Sequence, residues 1–194
     1  PEGFLEKATA MVRKAGGVLI ADEVQAGFGR SGHHFWAHQQ YNITPDIVTM
    51  GKPMGNGHPL AGVVARGDMI EEFSAAAMYF NTFGGNPVSC AVGMTVLDVL
   101  QEENLLENAV KTGGIVAKGL RELQSRYEII GDVRDKGLFF AMELVEDRDT
   151  KAPIAGVAGR FINMMCQRGV LISKIGSNDN ILKLRPPMPF DTDN

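Results

Sequence analysis

Lys52 is the first residue in this chain whose setting suggests chemistry. It follows the apolar, β-branched run Pro45-Asp46-Ile47-Val48-Thr49-Met50-Gly51 and precedes Pro53, Gly55, Gly57 and Pro59, which forbid regular structure. A strand that delivers one amine into a loop shaped by glycine and proline suits a nucleophilic lysine, which needs rigid support and partial desolvation. The same spacing also describes a surface or structural lysine. Upstream, Gly16-Gly17-Val18-Leu19-Ile20-Ala21 runs as a buried-strand pattern into Asp22-Glu23, then into the glycine-punctuated stretch Val24-Gln25-Ala26-Gly27-Phe28-Gly29-Arg30-Ser31-Gly32. Open α/β sheets place their sites at the C-terminal ends of parallel strands. An acid that merely caps or pairs at a strand end would look alike. A third stretch, Tyr79 to Pro87, presents the Thr82 hydroxyl and the Gly84-Gly85 backbone ahead of a helix. Those are donors suited to an anion, although a turn threonine before a well-capped helix has the same sequence.

Taken together these stretches carry a family resemblance. Asp-Glu-Val-Gln-x-Gly-Phe-Gly-Arg from Asp22, Pro-Asp-Ile-Val-Thr-x-Gly-Lys ending at Lys52, and Asn-Thr-Phe-Gly-Gly-Asn-Pro from Asn81 stand in the order found in class III aminotransferases. The chain resembles these pyridoxal-phosphate (PLP) enzymes of fold type I over essentially its whole length. The resemblance implies Lys52 as the amine that condenses with the cofactor aldehyde and later carries a proton as base and acid. Asp22 would keep the pyridine nitrogen protonated, with Glu23 in support, because the ring is a stronger electron sink when charged. Gln25 would donate to the phenolic oxygen, and Thr82 would reach the cofactor phosphate of a neighbouring subunit, implying a homodimer with shared active sites.

Substrate recognition departs from the common pattern. Many class III transaminases have an arginine in an Arg-x-Ala-Pro-Pro segment that forks onto a substrate carboxylate. Aligned on Pro186-Pro187, this chain has Lys183 at the arginine position and Arg185 at the small-residue position. Lysine cannot make the planar two-bond clamp but binds phosphate as a point charge. This looks like a subgroup similar to the ethanolamine-phosphate and phosphohydroxylysine phospho-lyases and to alanine–glyoxylate aminotransferase 2-like proteins. Lys183 and Arg185 are therefore candidate substrate-binding residues, or two strand charges facing solvent. The implied reaction is transfer of an amino group from an amine or amino acid to a keto acid. Loss of phosphate and ammonia from a phosphorylated amine is the alternative, and a non-catalytic binding or dimerisation fragment is the rival of another class.

Composition narrows the remaining choices. Hydrophobic residues make up 44% and charged residues 22% of the 194-residue chain, as expected of a globular protein. The net charge of -4, without a basic block, argues against nucleic acid. Cys90 and Cys166 form no CxxC and read as buried small hydrophobes in a reducing, cytoplasmic setting. No run suggests a membrane span or signal peptide. His33, His34 and His38 lack a supporting acid or cysteine pattern, so no metal is expected and they read as packed or solvent-facing. His58 reads as shaping the loop after Lys52, and the ten methionines as core filler. Without an initiator methionine, the chain reads as the second half of a class III protein. The first half would carry a glycine-rich phosphate loop and the aromatic that stacks on the cofactor.

The elements that must position these residues follow from periodicity. Helices are expected over 4–14, 68–76 (capped by Asp68), 87–101 (Asn86 cap, Pro87 in the first turn), 104–126 and 156–168, with a short one over 34–41. Strands are expected over 18–21, 46–50, 60–65, 128–134, 137–145, 170–173 and 181–184. The first two read as buried on both faces. The resulting expectation is an α/β, fold type I arrangement. Residues 1–126 would form part of the large mixed-sheet domain, including a bridging helix from 104, and residues 127–194 a small α+β domain.

Overall fold

The computed structural model describes residues 3–194. The chain forms two compact units, Pro1–Leu106 and Glu107–Asn194.

In the first unit, helix α1 spans Phe4–Lys14 and is followed by Gly16 at φ +79°, a left-handed backbone that suits glycine. Strands β1 (Ile20–Asp22), β2 (Ile47–Met50) and β3 (Gly62–Ala65) form a sheet in that order. β1 and β2 run parallel with Asp22 opposite Thr49, and β3 returns antiparallel to β2. Asp46 fastens the start of this sheet. Its buried carboxylate accepts from the Leu19 amide at 2.8 Å and from Arg66 Nη1 at 2.9 Å, and Arg13 stands 3.6 Å away. The Asp46 and Ile47 amides in turn donate to the Leu19 carbonyl, so the two parallel strands enter together.

Helix α2 (Gly67–Ala76) starts one residue earlier than expected and is not capped by Asp68. The Arg66 guanidinium has drawn that carboxylate into a two-bond pair, a stronger interaction than a neutral cap. Helix α3 (Pro87–Glu102) has the expected cap: Asn86 Oδ1 accepts from the Ser89 amide at 2.9 Å, with Pro87 in the first turn. Asn104, at φ +51°, breaks the chain before helix α4 (Leu105–Arg126). Several expectations of burial do not hold in this unit. Val18 and Ile20 are exposed, so β1 is not covered on both faces, and Met11, Met78, Met94 and Cys90 are exposed rather than buried.

The second unit contains the dense core. Strands β4 (Ile130–Lys136), β5 (Phe139–Leu144), β6 (Ser173–Ile175) and β7 (Ile181–Leu184) form an antiparallel sheet ordered β4-β5-β7-β6. Alternation puts Phe140, Met142 and Leu144 on the same face as Leu182. That face packs with Ala109, Ala117 and Leu120 of α4 and Ala158 of helix α5 (Val157–Gln167). These contacts join α4 to the sheet of the second unit. α4 touches the β4–β5 hairpin so closely that a Cβ on Gly113 would run into the Gly137 carbonyl. Arg148 gathers the carbonyls of Gln124, Tyr127 and Ile130 at the end of α4, where a cation suits the helix dipole. β6 lies later than the 170–173 expected, because Gly169 at φ +81° ends α5 and the strand forms only where Ser173 meets Lys183. Cys166 is exposed and free.

The Leu19 amide, and then Arg66, hold the Asp46 carboxyl below the usual carboxylate range, with Arg13 adding to the effect. A depressed carboxyl contributes stability that is complete above its unfolded value and is lost as pH falls through its folded value. Thermal unfolding followed by circular dichroism from about pH 7 down to about pH 2 should show a falling midpoint. Asp46→Asn should lower the neutral-pH midpoint and flatten this acid limb, leaving the share from Asp68 and Asp147, which are also depressed.

Candidate active site

The parallel ladder brings Asp22 and the Lys52 loop to one edge of the first unit's sheet. Asp22 ends β1 opposite Thr49, and β2 then runs through Met50 and the buried Gly51 into Lys52. Asp22 Oδ1 accepts from Thr49 Oγ1 at 3.3 Å and from the Val24 amide at 3.1 Å. Both bonds fall on the same oxygen, so Oδ2 is left for a cationic N–H. Lys52 is exposed and its amine makes no hydrogen bond among the described residues. The desolvation expected of a reactive amine is thus not supplied by this unit. After Lys52 the chain folds through successive turns, with Met54 donating to the Gly51 carbonyl, Asn56 to Pro53 and His58 to Gly55.

The segment after Asp22 is a built loop. Glu23 is 2% exposed. Its carboxylate accepts from the Ala37 amide at 3.0 Å, the His38 amide at 2.8 Å and His38 Nδ1 at 2.8 Å. Glu23 therefore fastens the far end of the loop, and His38 is packed rather than solvent-facing. Phe28, at φ +59°, sits in a cluster with Phe35 and Trp36 at ring distances of 5.1 and 5.3 Å. The Trp36 ring lies so close to Gly27 that an added Cβ would stand 2.9 Å from it. Gln25 is an exposed residue on this fastened loop.

Thr82 lies in the exposed turn before α3. Asn81 Oδ1 accepts from the Phe83 and Gly84 amides, and Gly85 takes φ +67°. Neither Thr82 nor Gln25 makes a side-chain hydrogen bond among the described residues, so both keep their polar atoms for a ligand.

Lys183 and Arg185 belong to the second unit. They are two residues apart on and just beyond β7, so they share a sheet face. The Arg185 guanidinium lies 3.9 Å from the Phe139 ring centroid, while its Nε and Nη1 are buried without a hydrogen-bond partner. Burial lowers its pKa from the ordinary arginine value. Such a cation is costly to leave alone and suits an anion.

Two parts of this arrangement are not apparent from the sequence. Thr49 meets Asp22 only through strand register. His58 Nε2 lies 2.8 Å from Ser89 Oγ, a contact between residues 31 apart in the chain. The Ser89–Asn86 capping spacing is visible, but nothing marks His58 as its third member. No group of three or more His, Cys, Asp or Glu residues among the described residues could hold a metal ion.

The architecture is that of the fold type I transferases, with mixed α/β structure in the first unit and an antiparallel α+β arrangement in the second. Residues 1–194 match the aminotransferase class-III family throughout, and the chain belongs to that family, whose cofactor is pyridoxal 5'-phosphate. It is 47% identical over 196 residues to an alanine–glyoxylate aminotransferase 2-like protein of Drosophila melanogaster, covering 100% of this chain and 40% of the relative. It is 43% identical over 197 residues to ethanolamine-phosphate phospho-lyase homolog 1 of Caenorhabditis elegans, covering 100% of this chain and 42% of the relative. Among solved structures, a phospholyase from Arthrobacter in complex with phosphoethanolamine superposes with a TM-score of 0.95 at 44% identity. That match covers 100% of this chain and 46% of the phospholyase. The chain thus spans about two-fifths of the curated relatives it matches.

The Glu23 carboxylate has three donors in a nearly dry setting. Glu23→Ala should leave them unpaired and destabilise the chain by about 2–4 kcal/mol in urea unfolding. Glu23→Gln, which keeps one acceptor oxygen, should lose less.

Proposed function

We propose that this chain carries the cofactor-anchoring part of a PLP-dependent enzyme that processes an amine or amino acid, with amine transfer to a keto acid as its class-wide outcome. The shared sheet edge of Asp22 and Lys52 is the observation that carries this reading. Bound there, the cofactor supplies an aldehyde for an amine and a ring that accepts electron density from the substrate carbon next to nitrogen. The free Oδ2 of Asp22 fits a protonated ring nitrogen, with Thr49 and the Val24 amide orienting the carboxylate through Oδ1. Lys52 would be the covalent anchor, and its amine, once displaced by the substrate's amine, would take and return the proton at the substrate carbon. Gln25 would donate to the ring's phenolic oxygen from a loop that Glu23 holds, and Thr82 would donate to the phosphate, in a homodimer whose subunits share sites. Residues 1–126, including the bridging helix, would belong to the large cofactor-binding domain and residues 127–194 to the small domain.

A second reading has its own observation. Arg185 has two orphan donor nitrogens and Lys183 lies on the same sheet face. This pair suits the phosphate of a phosphorylated amine, with the Lys183 point charge beside the Arg185 donors. The similarity to a phospholyase solved with phosphoethanolamine supports it. In that reading the enzyme releases inorganic phosphate and ammonia without a keto acceptor.

Mixing the protein with PLP should give a visible absorption band that Lys52→Ala abolishes and Asp22→Asn weakens. A folded wild type with no band would refute the cofactor reading. Where the assembled enzyme turns over phosphoethanolamine, acceptor-independent phosphate release marks a lyase, whereas acceptor-dependent amine transfer marks a transaminase.

Arg185 should show a trade between stability and binding. Because it is desolvated without a hydrogen-bond partner, Arg185→Met should leave the thermal midpoint unchanged or raise it. The same change should weaken phosphoethanolamine binding by about tenfold or more, measured by calorimetry. A lower midpoint with unaltered binding would make Arg185 a structural residue.

A further inference from the structure

The Lys52 loop and the Thr82 turn are joined by a chain of hydrogen bonds through side chains to which neither motif assigns a role. His58 Nε2 is 2.8 Å from Ser89 Oγ, and Ser89 is buried in the first turn of α3. Asn86 Nδ2 donates to Ser89 Oγ at 3.0 Å and to the Phe83 carbonyl at 2.8 Å, while Asn86 Oδ1 accepts from the Ser89 amide. Asn86 therefore uses both its N–H groups and its oxygen. The Ser89 hydroxyl keeps its proton and a second lone pair, so it can pair with His58 Nε2 in either tautomer.

Packing fixes the same two segments together. The loop turns so tightly that a Cβ on Gly55 would run into the His58 carbonyl. A Cβ on Gly93, one turn further along α3, would stand 2.8 Å from Leu60 Cδ2. The loop after Lys52 thus lies directly against the start of α3, and His58 is its polar fastening.

We infer that His58 is a positioning residue: through Ser89 and Asn86 it locks the loop carrying the Lys52 amine to the turn carrying the Thr82 hydroxyl. This rests on the cofactor reading above for its purpose, but the lock itself is a property of the unloaded chain. Two short loops without regular structure would otherwise fluctuate independently. A link that runs through the buried Ser89 makes the displacement of one a displacement of the other. The Lys52 amine of one site and the Thr82 hydroxyl that would reach the neighbouring subunit's cofactor then move together, so the lock couples the shared sites of the proposed homodimer.

The test uses wild type, His58→Ala, Ser89→Ala, the double variant and His58→Gln, which can still bond Ser89. Hydrogen exchange on the unloaded protein reads the amides of Met54 and Asn56 in the loop and of Gly84 and Asn86 in the turn, all of them hydrogen-bonded. Each single alanine variant should speed exchange in both segments by about fivefold or more, the double should be no faster than either, and His58→Gln should restore most of the protection. Exchange that rises in one segment alone, or effects that multiply in the double variant, would overturn the lock. The second reading is the ratio of affinities for PLP and for pyridoxal, which lacks the phosphate. His58→Ala should lower that ratio by about fivefold, and an unchanged ratio would reduce His58 to a structural contact. A wild type that shows coupled exchange but never forms the PLP band would refute the cofactor reading and leave the lock standing.

Discussion

The parallel pairing of Ile20–Asp22 with Ile47–Met50 is the constraint on which the proposed site depends. Side chains alternate along a strand, so a slip of one residue would send Asp22 to the opposite face and part it from Thr49. Two buried acids guard the register from its two ends. Asp46 ties the strand entrances through the Leu19 amide and two arginines, and Glu23 ties the exit through the Ala37–His38 segment. Asp22 is the exposed member of the three. Its neighbours are committed to main chain and counter-charges, which leaves one of its oxygens for a ligand.

The chemistry-bearing stretches were legible because each combines a rare requirement with a local signal. Lys52 follows a strand and opens a loop rich in glycine and proline, and Asn86-Pro87 announces the start of α3 through capping rules that need no tertiary knowledge. Periodicity likewise found α1 and β7, whose faces are set within a few residues. Failures occur where a distant partner decides. Asp68 reads as a cap until Arg66 is seen to take it. Gly113 reads as an ordinary position in the helix expected over 104–126 until the β4–β5 hairpin is brought against it. The pairing of Thr49 with Asp22 and the contact of His58 with Ser89 depend on register and on helix placement, neither of which a linear pattern contains. An amphipathic helix shows that it buries one face, but not which unit receives that face.

The two units treat charge differently. In the first, charges are spent on the backbone: Asp46 and Glu23 satisfy amides that irregular segments would otherwise leave unpaired. In the second, Arg148 performs that task for the end of α4, while Arg134 pairs with Asp132 and Glu143 at the surface. Arg185 breaks this economy. It stacks on Phe139 and leaves two donor nitrogens buried without a hydrogen-bond partner.

The meeting of Gly113 with Gly137 bears on how this chain can vary. Where α4 crosses the β4–β5 hairpin, main chain rests on main chain, with no side chain between them to grow or shrink. The separation of helix and sheet at that corner is therefore indifferent to which aliphatic residues fill the interior near Leu120. Phe139, two positions past the corner, inherits this indifference, and so does the guanidinium lying over its ring. Sequence drift can reshape the interior of the second unit while the end of the sheet that presents the cation keeps its datum.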